Sequence, residues 1–348
     1  MKNSLATLFL GPFSYAWESI YRLRRLGYKI DLFSSKSFRV PIISIGNLSF
    51  GGTGKTPLTI WLANYFSRQK KSPLVLMRGY RGKMEKSGGM IKKGEFKNAC
   101  PKDFGDEAVL ISRKSPSSTV IVGKNRSQNL ELYYDEVSPD IILLDDGHQH
   151  LKIKRDLNIV LFDATMDLKK YKVAPRGYLR EGLNALRDGD VVIIGKCDQV
   201  PSSITADLEN MIKPYLNSQV VIAKTGLVPT GVFDYNFQSV MDIKDLGGKN
   251  VILLSGIASP YSFFSLIESL GANVVKRVTY PDHYYFKAKE IVKLEKEAQS
   301  KDSIILTTEK DFMRIREVTE SPSIYFLGID INFLSGENEF KEKIKNIL

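Results

Sequence analysis

A glycine-rich loop between an apolar run and a helical pattern constrains the fold of this chain more than any other feature. Residues 40–45 are apolar and largely β-branched and predict a buried strand, and residues 58–66 predict a helix with Pro57 in its first turn. Gly54, Lys55 and Thr56 close the loop between them. Glycines allow backbone N–H groups to turn toward phosphate oxygens at a helix N-terminus, so the loop predicts a nucleoside triphosphate.

Each polar residue of this phosphate loop has an expected partner. Lys55 is expected to reach the terminal phosphates, and Thr56 is expected to ligate Mg²⁺. Ser49 stands where the common pattern has glycine, and the remaining positions fit that pattern. The residues expected to bind the triphosphate are Ser49, Phe50, Gly51, Gly52, Thr53, Gly54, Lys55 and Thr56.

Strand-like runs alternate with crossover segments along most of the chain, which predicts an α/β fold with a mostly parallel sheet. In the first part, further strands are expected at residues 73–77, 119–122, 141–144, 158–162, 190–194 and 220–223. The second part predicts strands at 250–254, 274–280 and 304–306, with helices at 261–270 and 287–300. Residues 83–102 predict a mobile loop or hairpin.

The turn-rich residues 225–249 predict a domain junction, with Pro229 and the Gly247-Gly248 pair as its strongest signals. We therefore expect a phosphate-loop domain over residues 1–224 and a smaller α/β domain over residues 225–348. A helix near Lys341 is expected to end the second domain or to return to the first.

Two pairs of adjacent carboxylates are candidates for metal binding and proton transfer. Asp106 and Glu107 open a predicted helix, where they serve either as capping charges or as a Mg²⁺ ligand and a proton acceptor. Asp145 and Asp146 end an apolar strand, which is the Walker B arrangement for holding Mg²⁺ opposite the phosphate loop.

Basic and imidazole side chains follow other predicted elements. Arg78 and Tyr80 come directly after a strand, where they either contact substrate or form a solvated turn. Arg180 stands in a basic segment suited to phosphate contacts or to solvent. His148 and His150 lack the cysteine or long-spaced histidine partners of a zinc site, and His283 is either a proton carrier or a surface group.

Composition restricts the partners and the compartment. The net charge of +11 should attract anions, such as a phosphorylated substrate, an anionic lipid or nucleic acid. No zinc-finger spacing or aromatic RNA-binding signature accompanies this charge, which argues against nucleic acid. Cys100 and Cys197 are too few for a disulfide framework, which fits a reducing cytoplasm.

The N-terminal residues 3–17 carry no charge and include Leu5, Leu8, Phe9 and Trp17, and Arg22, Arg24 and Arg25 follow them. The segment is too short and too interrupted by proline to span a bilayer. It predicts either an interfacial membrane anchor or a helix packed on the core of the protein.

Residues 195–198 read Gly-Lys-Cys-Asp, which resembles the guanine-reading Asn-Lys-x-Asp box with glycine in place of asparagine. The missing amide disfavours GTP and weakens the alternative hypothesis of a GTP-driven switch or metallochaperone. A nucleic-acid-associated ATPase is suggested by charge alone.

Taken together, these stretches resemble the tetraacyldisaccharide 4'-kinase family, the lipid A 4'-kinases of Gram-negative bacteria. The residues carrying the resemblance extend over nearly the whole chain, and Arg81 departs from the family by following Tyr80 where glycine is usual. The matching stretches are 46–49, 51–57, 78–80, 105–107, 145–150, 179–181, 256–257, 282–283 and 308–311.

The resemblance implies ATP- and Mg²⁺-dependent phosphorylation of the 4'-hydroxyl of a tetraacylated glucosamine disaccharide 1-phosphate, giving lipid IVA. It implies a monomer at the cytoplasmic face of the inner membrane, without a nucleic-acid partner. By motif position, Asp106 looks like the proton acceptor, paired with His283 from the second domain. The implied metal ligands or supports are Thr56, Glu107, Asp145 and Asp146. The residues implied to line the site are Arg78, Tyr80, Arg126, Gln149, His150, Arg180 and Glu181.

Overall fold

Helices and strands alternate through the computed structural model, which describes the backbone of residues 2–348 and the side chains of residues 10–348. The strands are β1 (Ile42–Asn47), β2 (Pro73–Met77), β3 (Gly89–Ile91), β4 (Thr119–Val122), β5 (Ile141–Asp145), β6 (Leu157–Asp163), β7 (Val191–Gly195), β8 (Val221–Phe233), β9 (Ser239–Met241), β10 (Asn250–Ser255), β11 (Asn273–Thr279), β12 (Ile304–Thr308) and β13 (Ile324–Ser335). The helices are α1 (Lys2–Lys29), α2 (Lys55–Arg68), α3 (Met84–Ser87), α4 (Pro101–Phe104), α5 (Asp106–Lys114), α6 (Arg126–Val137), α7 (Ser202–Ile212), α8 (Pro260–Ser269), α9 (Ala288–Ser300), α10 (Glu309–Ile315) and α11 (Glu337–Lys345).

One mixed sheet joins the strands of the described chain in the order β11-β10-β12-β13-β8-β7-β6-β1-β5-β2-β4-β3, with β9 paired to β8. Most neighbours are parallel, and β8 runs antiparallel to both β13 and β9, as β3 does to β4. This architecture confirms the predicted α/β class. Because parallel strands end at the same edge, the loops that follow β1, β2, β5, β6 and β7 come together there.

The antiparallel pair β8 and β13, here called the ribbon, connects two groups of strands. We call β1–β7 with their helices the first lobe, and β10–β12 with α8–α10 the second lobe. The expected domain boundary at residue 225 falls inside β8. The prediction of turns is wrong for residues 225–233, because this segment forms a strand whose backbone is hydrogen-bonded to β13. Pro229 lies at an irregularity of the strand register, where its missing N–H is tolerated.

Residues 83–102, predicted to be a mobile loop or a hairpin, form ordered elements. They contain α3, the strand β3, and a short 3-10 turn at Phe96–Asn98. β3 adds to the edge of the sheet beside β4, so its backbone groups that face β4 are paired.

The core lies on both faces of the sheet. β1 is buried along its whole length, as expected for a central parallel strand. Ile43 and Ile45 pack on the side of α2, and Ile42 packs on the opposite side. Helix α11 returns to the first lobe, where Phe340 stacks on Trp61 of α2 at 5.9 Å between ring centroids.

Helix α1 runs through Pro12 and presents two different faces. The face containing Ser14 and Arg25 packs against the first lobe, with Ser14 Oγ donating to the Val173 carbonyl at 3.1 Å. The outer face leaves Phe13, Ile20 and Leu23 between 63% and 67% exposed. No helix within residues 2–348 combines the length and apolar character needed to cross a bilayer. The side chains of Leu5, Leu8 and Phe9, which belong to the predicted anchor, lie outside the described residues.

Candidate active site

A cleft of about 1330 Å³ opens at the carboxyl ends of the parallel strands, between the two lobes. The phosphate loop and the ends of β2, β5, β6 and β7 form its first wall, and residues from the second lobe form the other. Its lining includes residues 49–56, Arg78, Tyr80, Glu107, Arg126, Asp145, Asp146, Arg180, His283 and Lys310. Topology therefore brings most of the expected site residues into one cavity.

The phosphate loop adopts a backbone that requires glycine at two positions. Gly51 has a φ of 100° and Gly54, which caps α2, has a φ of 87°. A Cβ atom at either residue would meet nothing within 4 Å, so the requirement is conformational and not steric crowding. The N-terminus of α2 begins at Lys55 and Thr56, which places its free N–H groups at the cleft.

The ammonium of Lys55 lies between the phosphate loop and the acids of β5. Its Nζ is 3.2 Å from Asn47 Oδ1 and 3.4 Å from Asp146 Oδ1. Arg126 is buried beside the same carboxylate and donates to the Asp146 carbonyl at 2.9 Å. The first wall therefore concentrates positive charge where a polyphosphate would lie.

A short segment, residues 178–181, supports the phosphate loop from the side. The Phe50 N–H donates to the Tyr178 carbonyl and the Arg180 N–H donates to the Leu48 carbonyl, both at 2.7 Å. The Arg180 guanidinium then covers the Phe50 ring at 5.5 Å and donates to both Asp146 carboxylate oxygens at 3.0 and 3.2 Å. Arg180 thus joins the loop to the end of β5.

The two acids at the end of β5 have opposite electrostatic environments. Burial raises the pKa of Asp145 to about 6, and the nearby charge of Glu107 adds to this increase. Burial would also raise the pKa of Asp146, but Lys55, Arg180 and Arg126 outweigh it and hold that pKa well below its ordinary value. Asp145 accepts a hydrogen bond from the Thr59 hydroxyl at 3.0 Å, which fixes its orientation.

Asp106 and His283 come from different lobes and meet beside the cleft, where His283 belongs to the lining and Asp106 is buried behind it. His283 Nδ1 lies 3.1 Å from Asp106 Oδ2, although 177 residues separate them in sequence. Lys310 Nζ lies 3.3 Å from His283 Nε2. An ammonium can only donate, so Nε2 accepts from Lys310 and Nδ1 carries the proton that is donated to Asp106.

The carboxylate of Asp106 remains ionised in this environment. Burial alone would raise its pKa, but the hydrogen bond from His283 and the charges of Lys310 and Arg314 lower it below the ordinary value. Arg314 Nε lies 3.4 Å from Asp106 Oδ2. Lys310 also donates to Glu107 Oε1 at 3.1 Å, so one cation serves both acids of the α5 N-terminus.

Lys310 and Arg314 had no assigned role in the sequence analysis. They stand four residues apart in α10 and share one face of the helix. The Thr308 hydroxyl caps α10 by accepting from the Asp311 N–H at 3.1 Å, which marks where the helix begins. The sequence signal for these two residues was a helix-capping threonine followed by two basic residues four positions apart.

Three of the expected lining residues lie away from the cleft wall. Glu181 is buried and pairs with Arg25 of α1, at 2.7 and 2.9 Å for the two oxygens. Gln149 donates to the Asn47 carbonyl at 2.9 Å, beneath the phosphate loop. The ring of His150 is enclosed, and burial together with Arg126 lowers its pKa to about 3. These residues support the wall from behind.

The segment that resembles a guanine-reading box does not present its acid to the cleft. Asp198 accepts from the Leu227 N–H at 3.4 Å and lies against Gly226 of β8. Lys196 pairs with Asp163 at 2.5 Å and donates to the Gly52 carbonyl at 3.4 Å. The geometry gives no support to guanine recognition by Asp198.

Comparisons with known proteins identify relatives of this chain. The family described as tetraacyldisaccharide-1-P 4'-kinase matches residues 6–348. A tetraacyldisaccharide 4'-kinase of Syntrophotalea carbinolica is 32% identical over 340 residues, covering 98% of this chain and 92% of the relative. One from Flavobacterium psychrophilum is 33% identical over 345 residues, covering 98% and 96%. The crystal structure of LpxK from Aquifex aeolicus in complex with ATP matches with a TM-score of 0.79 and 28% identity, covering 100% of this chain and 99% of that one.

Proposed function

The chain belongs to the tetraacyldisaccharide 4'-kinase family, and we propose that Asp106 and His283 are the catalytic pair with which it carries out the family's reaction. That reaction is the ATP-dependent phosphorylation of the 4'-hydroxyl of a tetraacylated glucosamine disaccharide 1-phosphate in lipid A biosynthesis. The observation that carries the assignment of the pair is the 3.1 Å contact between His283 Nδ1 of the second lobe and Asp106 Oδ2 of the first.

Asp106 accepts the proton of the attacking hydroxyl. Its lowered pKa keeps it ionised, and its Oδ1 is held by the Glu107 N–H at 3.0 Å at the start of α5. His283 donates to Oδ2, orients the carboxylate and shares the positive potential supplied by Lys310. As the bond from the hydroxyl oxygen to the γ-phosphorus forms, the bond from that phosphorus to the bridging oxygen breaks and ADP leaves. The attacking hydroxyl becomes more acidic during this step, so a weak, buried base suffices.

The first wall binds the triphosphate. Residues 49–56 surround the phosphates with backbone N–H groups, and Lys55 contacts the terminal phosphates after exchanging its contact with Asp146. Arg126 and Arg180 stabilise the negative charge of the transferred phosphoryl group. Arg78 and Tyr80 also line the cleft. Glu181, Gln149 and His150 act indirectly by supporting this wall.

The donor set fits Mg²⁺. Asp145 is an enclosed carboxylate whose raised pKa reflects burial and the nearby Glu107, so a divalent cation would stabilise its ionised form. Within the described residues no three His, Cys, Asp or Glu side chains converge as a complete metal cage. Mg²⁺ commonly uses one or two carboxylates, waters and substrate phosphates instead. Thr56, Glu107, Asp145 and Asp146 would hold it, and it would neutralise developing phosphate charge.

The division of the pair between lobes provides a reason for the two-part architecture. The first lobe acts as the phosphate-loop domain and the second lobe as the smaller domain that contributes His283; the expected boundary at residue 225 lies within β8, and α11 returns to the first lobe. Because the pair assembles only when the lobes are together, water alone is a poor acceptor and ATP is protected from futile hydrolysis.

We propose that the enzyme works at the cytoplasmic surface of the inner membrane, as a monomer and without a nucleic-acid partner, and the outer face of α1 supports the membrane part of this proposal. Phe13, Ile20 and Leu23 are exposed on this face, and Arg22, Arg24 and the net charge of +11 favour anionic headgroups. Replacing the three apolar residues by serine should reduce cosedimentation with anionic vesicles and leave turnover of detergent-dispersed substrate unchanged. Unchanged cosedimentation would contradict the membrane assignment.

One assay tests the assignment of function. The purified protein is incubated with γ-labelled ATP, Mg²⁺ and the lipid disaccharide monophosphate in detergent, and labelled lipid is the expected product. A substrate analogue lacking the 4'-hydroxyl serves as the matched control and should receive no label. Hydrolysis without transfer, or a preference for GTP, would favour the switch-protein alternative, which the family membership does not support.

A further inference from the structure

We propose that Arg81 is a positioning residue that holds the loop carrying His283 against the first lobe, so that the imidazole meets Asp106 in the correct orientation. This inference rests on the proposed catalytic role of His283. Arg81 follows β2 and lines the cleft, and its side-chain hydrogen bonds among the described residues go to the backbone of the loop that carries His283, so its effect is exerted through that backbone.

The side chain of Arg81 reaches across the cleft. Its Nη1 donates to the carbonyl of His283 at 3.1 Å and to the carbonyl of Asp282 at 3.3 Å. In return, the Tyr285 hydroxyl donates to the Arg81 carbonyl at 3.1 Å. Both the side chain and the main chain of Arg81 are therefore hydrogen-bonded to residues 282–285, so this one residue links the two lobes at two points.

The backbone of Arg81 adopts a conformation that favours glycine. Its φ is +62°, where an L side chain crowds its own carbonyl. The Arg81 N–H is held by Glu85 Oε2 at 3.1 Å, and the guanidinium covers the Tyr80 ring at 5.5 Å. A strained conformation that is fixed on three sides persists because the surrounding contacts stabilise it.

His283 needs such support because its own backbone is also strained, with a φ of +58°. Its N–H donates to the Gly256 carbonyl at 3.1 Å within the second lobe, and its carbonyl accepts from Arg81 of the first lobe. The Tyr80 ring contacts the imidazole edge-to-face at 5.3 Å between centroids. The position of His283 is thus set by both lobes together, and Arg81 supplies the first-lobe bonds to its backbone.

The test compares Arg81→Ala, Arg81→Gly and Arg81→Lys with the wild type. We expect the alanine and glycine variants to lower kcat about ten-fold, with KM for ATP and for the lipid within two-fold and the far-ultraviolet circular dichroism of a folded protein, because misorientation of a catalytic group affects turnover first. Arg81→Lys should recover part of the loss. Lys83→Ala removes an exposed charge from the same loop and is the matched control, expected to behave as wild type.

A double-mutant cycle separates this proposal from the function on which it depends. In the His283→Ala background, Arg81→Ala should lower kcat by less than two-fold, because there is no imidazole left to position. The full ten-fold loss in that background would overturn the positioning role, as would wild-type kcat in Arg81→Ala. Wild-type turnover in His283→Ala alone would instead reject the catalytic pair.

A spectroscopic measurement reports directly on the environment of the His283 ring, which a general loss of stability would not change selectively. The chain has three histidines, so imidazole resonances can be resolved by nuclear magnetic resonance. Arg81→Ala should shift the ring signals of His283 and leave those of the enclosed His148 and His150 unchanged. An unchanged His283 signal, or a loss of activity in Arg81→Ala that Arg81→Gly does not share, would overturn the proposal.

Discussion

The two walls of the cleft are built in different ways. The first wall takes its side chains from loops that directly follow neighbouring parallel strands, and contacts within one lobe hold Lys55, Asp146 and Arg180 together. The second wall takes His283 from a loop and Lys310 from a helix, and both are held in part by acids of the first lobe. The difference indicates that the triphosphate site is organised in advance, whereas the hydroxyl-activating site is assembled between lobes.

The largest effect should come from Asp106, which contacts His283 where the two lobes meet. Asp106→Asn keeps the shape of the side chain but removes the proton acceptor, and we expect kcat to fall about 10³-fold. KM for ATP should change little. The control is Asp103→Asn, which replaces an acid of the short helix α4 and should retain wild-type turnover. Steady-state kinetics with both substrates measure the effect, and near-normal kcat in Asp106→Asn would show that another group accepts the proton.

Lys55→Met tests the first wall. Loss of the ammonium removes stabilisation of the phosphates in the ground state and in the transition state, so kcat/KM for ATP should fall about 300-fold. Nucleotide affinity, measured by equilibrium binding, should fall with it. Lys71→Met, at an exposed lysine after α2, should leave both quantities unchanged. If ATP bound equally well to Lys55→Met, the phosphate loop would not be the binding site.

His283→Gln tests the second wall. Glutamine preserves a polar side chain but cannot reproduce the imidazole contact with Asp106, and we expect kcat to fall about 100-fold. Because the phosphate site lies in the other lobe, ATP affinity should remain within two-fold of wild type. A parallel loss of ATP affinity would contradict the conclusion that the triphosphate site is organised independently of the second wall.

Lys310→Met should have a smaller effect of about ten-fold on kcat, because Lys310 acts beside the pair by donating to His283 Nε2 and Glu107. Lys301→Met, in an exposed lysine of the same lobe that pairs with Glu297, is the control. Kinetics at saturating ATP and lipid provide the measurement. An effect as large as that of Asp106→Asn would assign Lys310 a direct contact with the reacting groups.

The sequence predicted the first wall better than the second, for a physical reason. Glycine-rich turns and acids at strand ends are local signals, so the phosphate loop and Asp145 could be placed from periodicity alone. The contact of His283 with Asp106 was expected only from the family resemblance, because no local pattern connects residues 177 positions apart. Lys310 and Arg314 gained roles only when tertiary packing brought α10 to α5.

Other differences follow from pairing and packing that a single sequence does not display. β8 extends to Phe233 because β13 satisfies its backbone, and the antiparallel pairing joins residues about a hundred positions apart. The resemblance implied that Glu181 lines the site, but Arg25 of α1 holds it behind the wall. Both outcomes depend on which distant segment of the chain packs against the residue in the folded protein.

The positions of the two tryptophans give the molecule built-in optical reporters. Trp61 of α2 lines the cleft, and Trp17 of α1 donates its indole N–H to the Arg180 carbonyl at 2.8 Å. Indole emission depends on local polarity and on nearby quenching groups, so Trp61 fluorescence should follow occupancy of the cavity while Trp17 fluorescence should follow the surroundings of the N-terminal helix. Two single-tryptophan variants, each keeping one indole, would therefore record nucleotide binding and surface attachment as separate signals from an unlabelled protein.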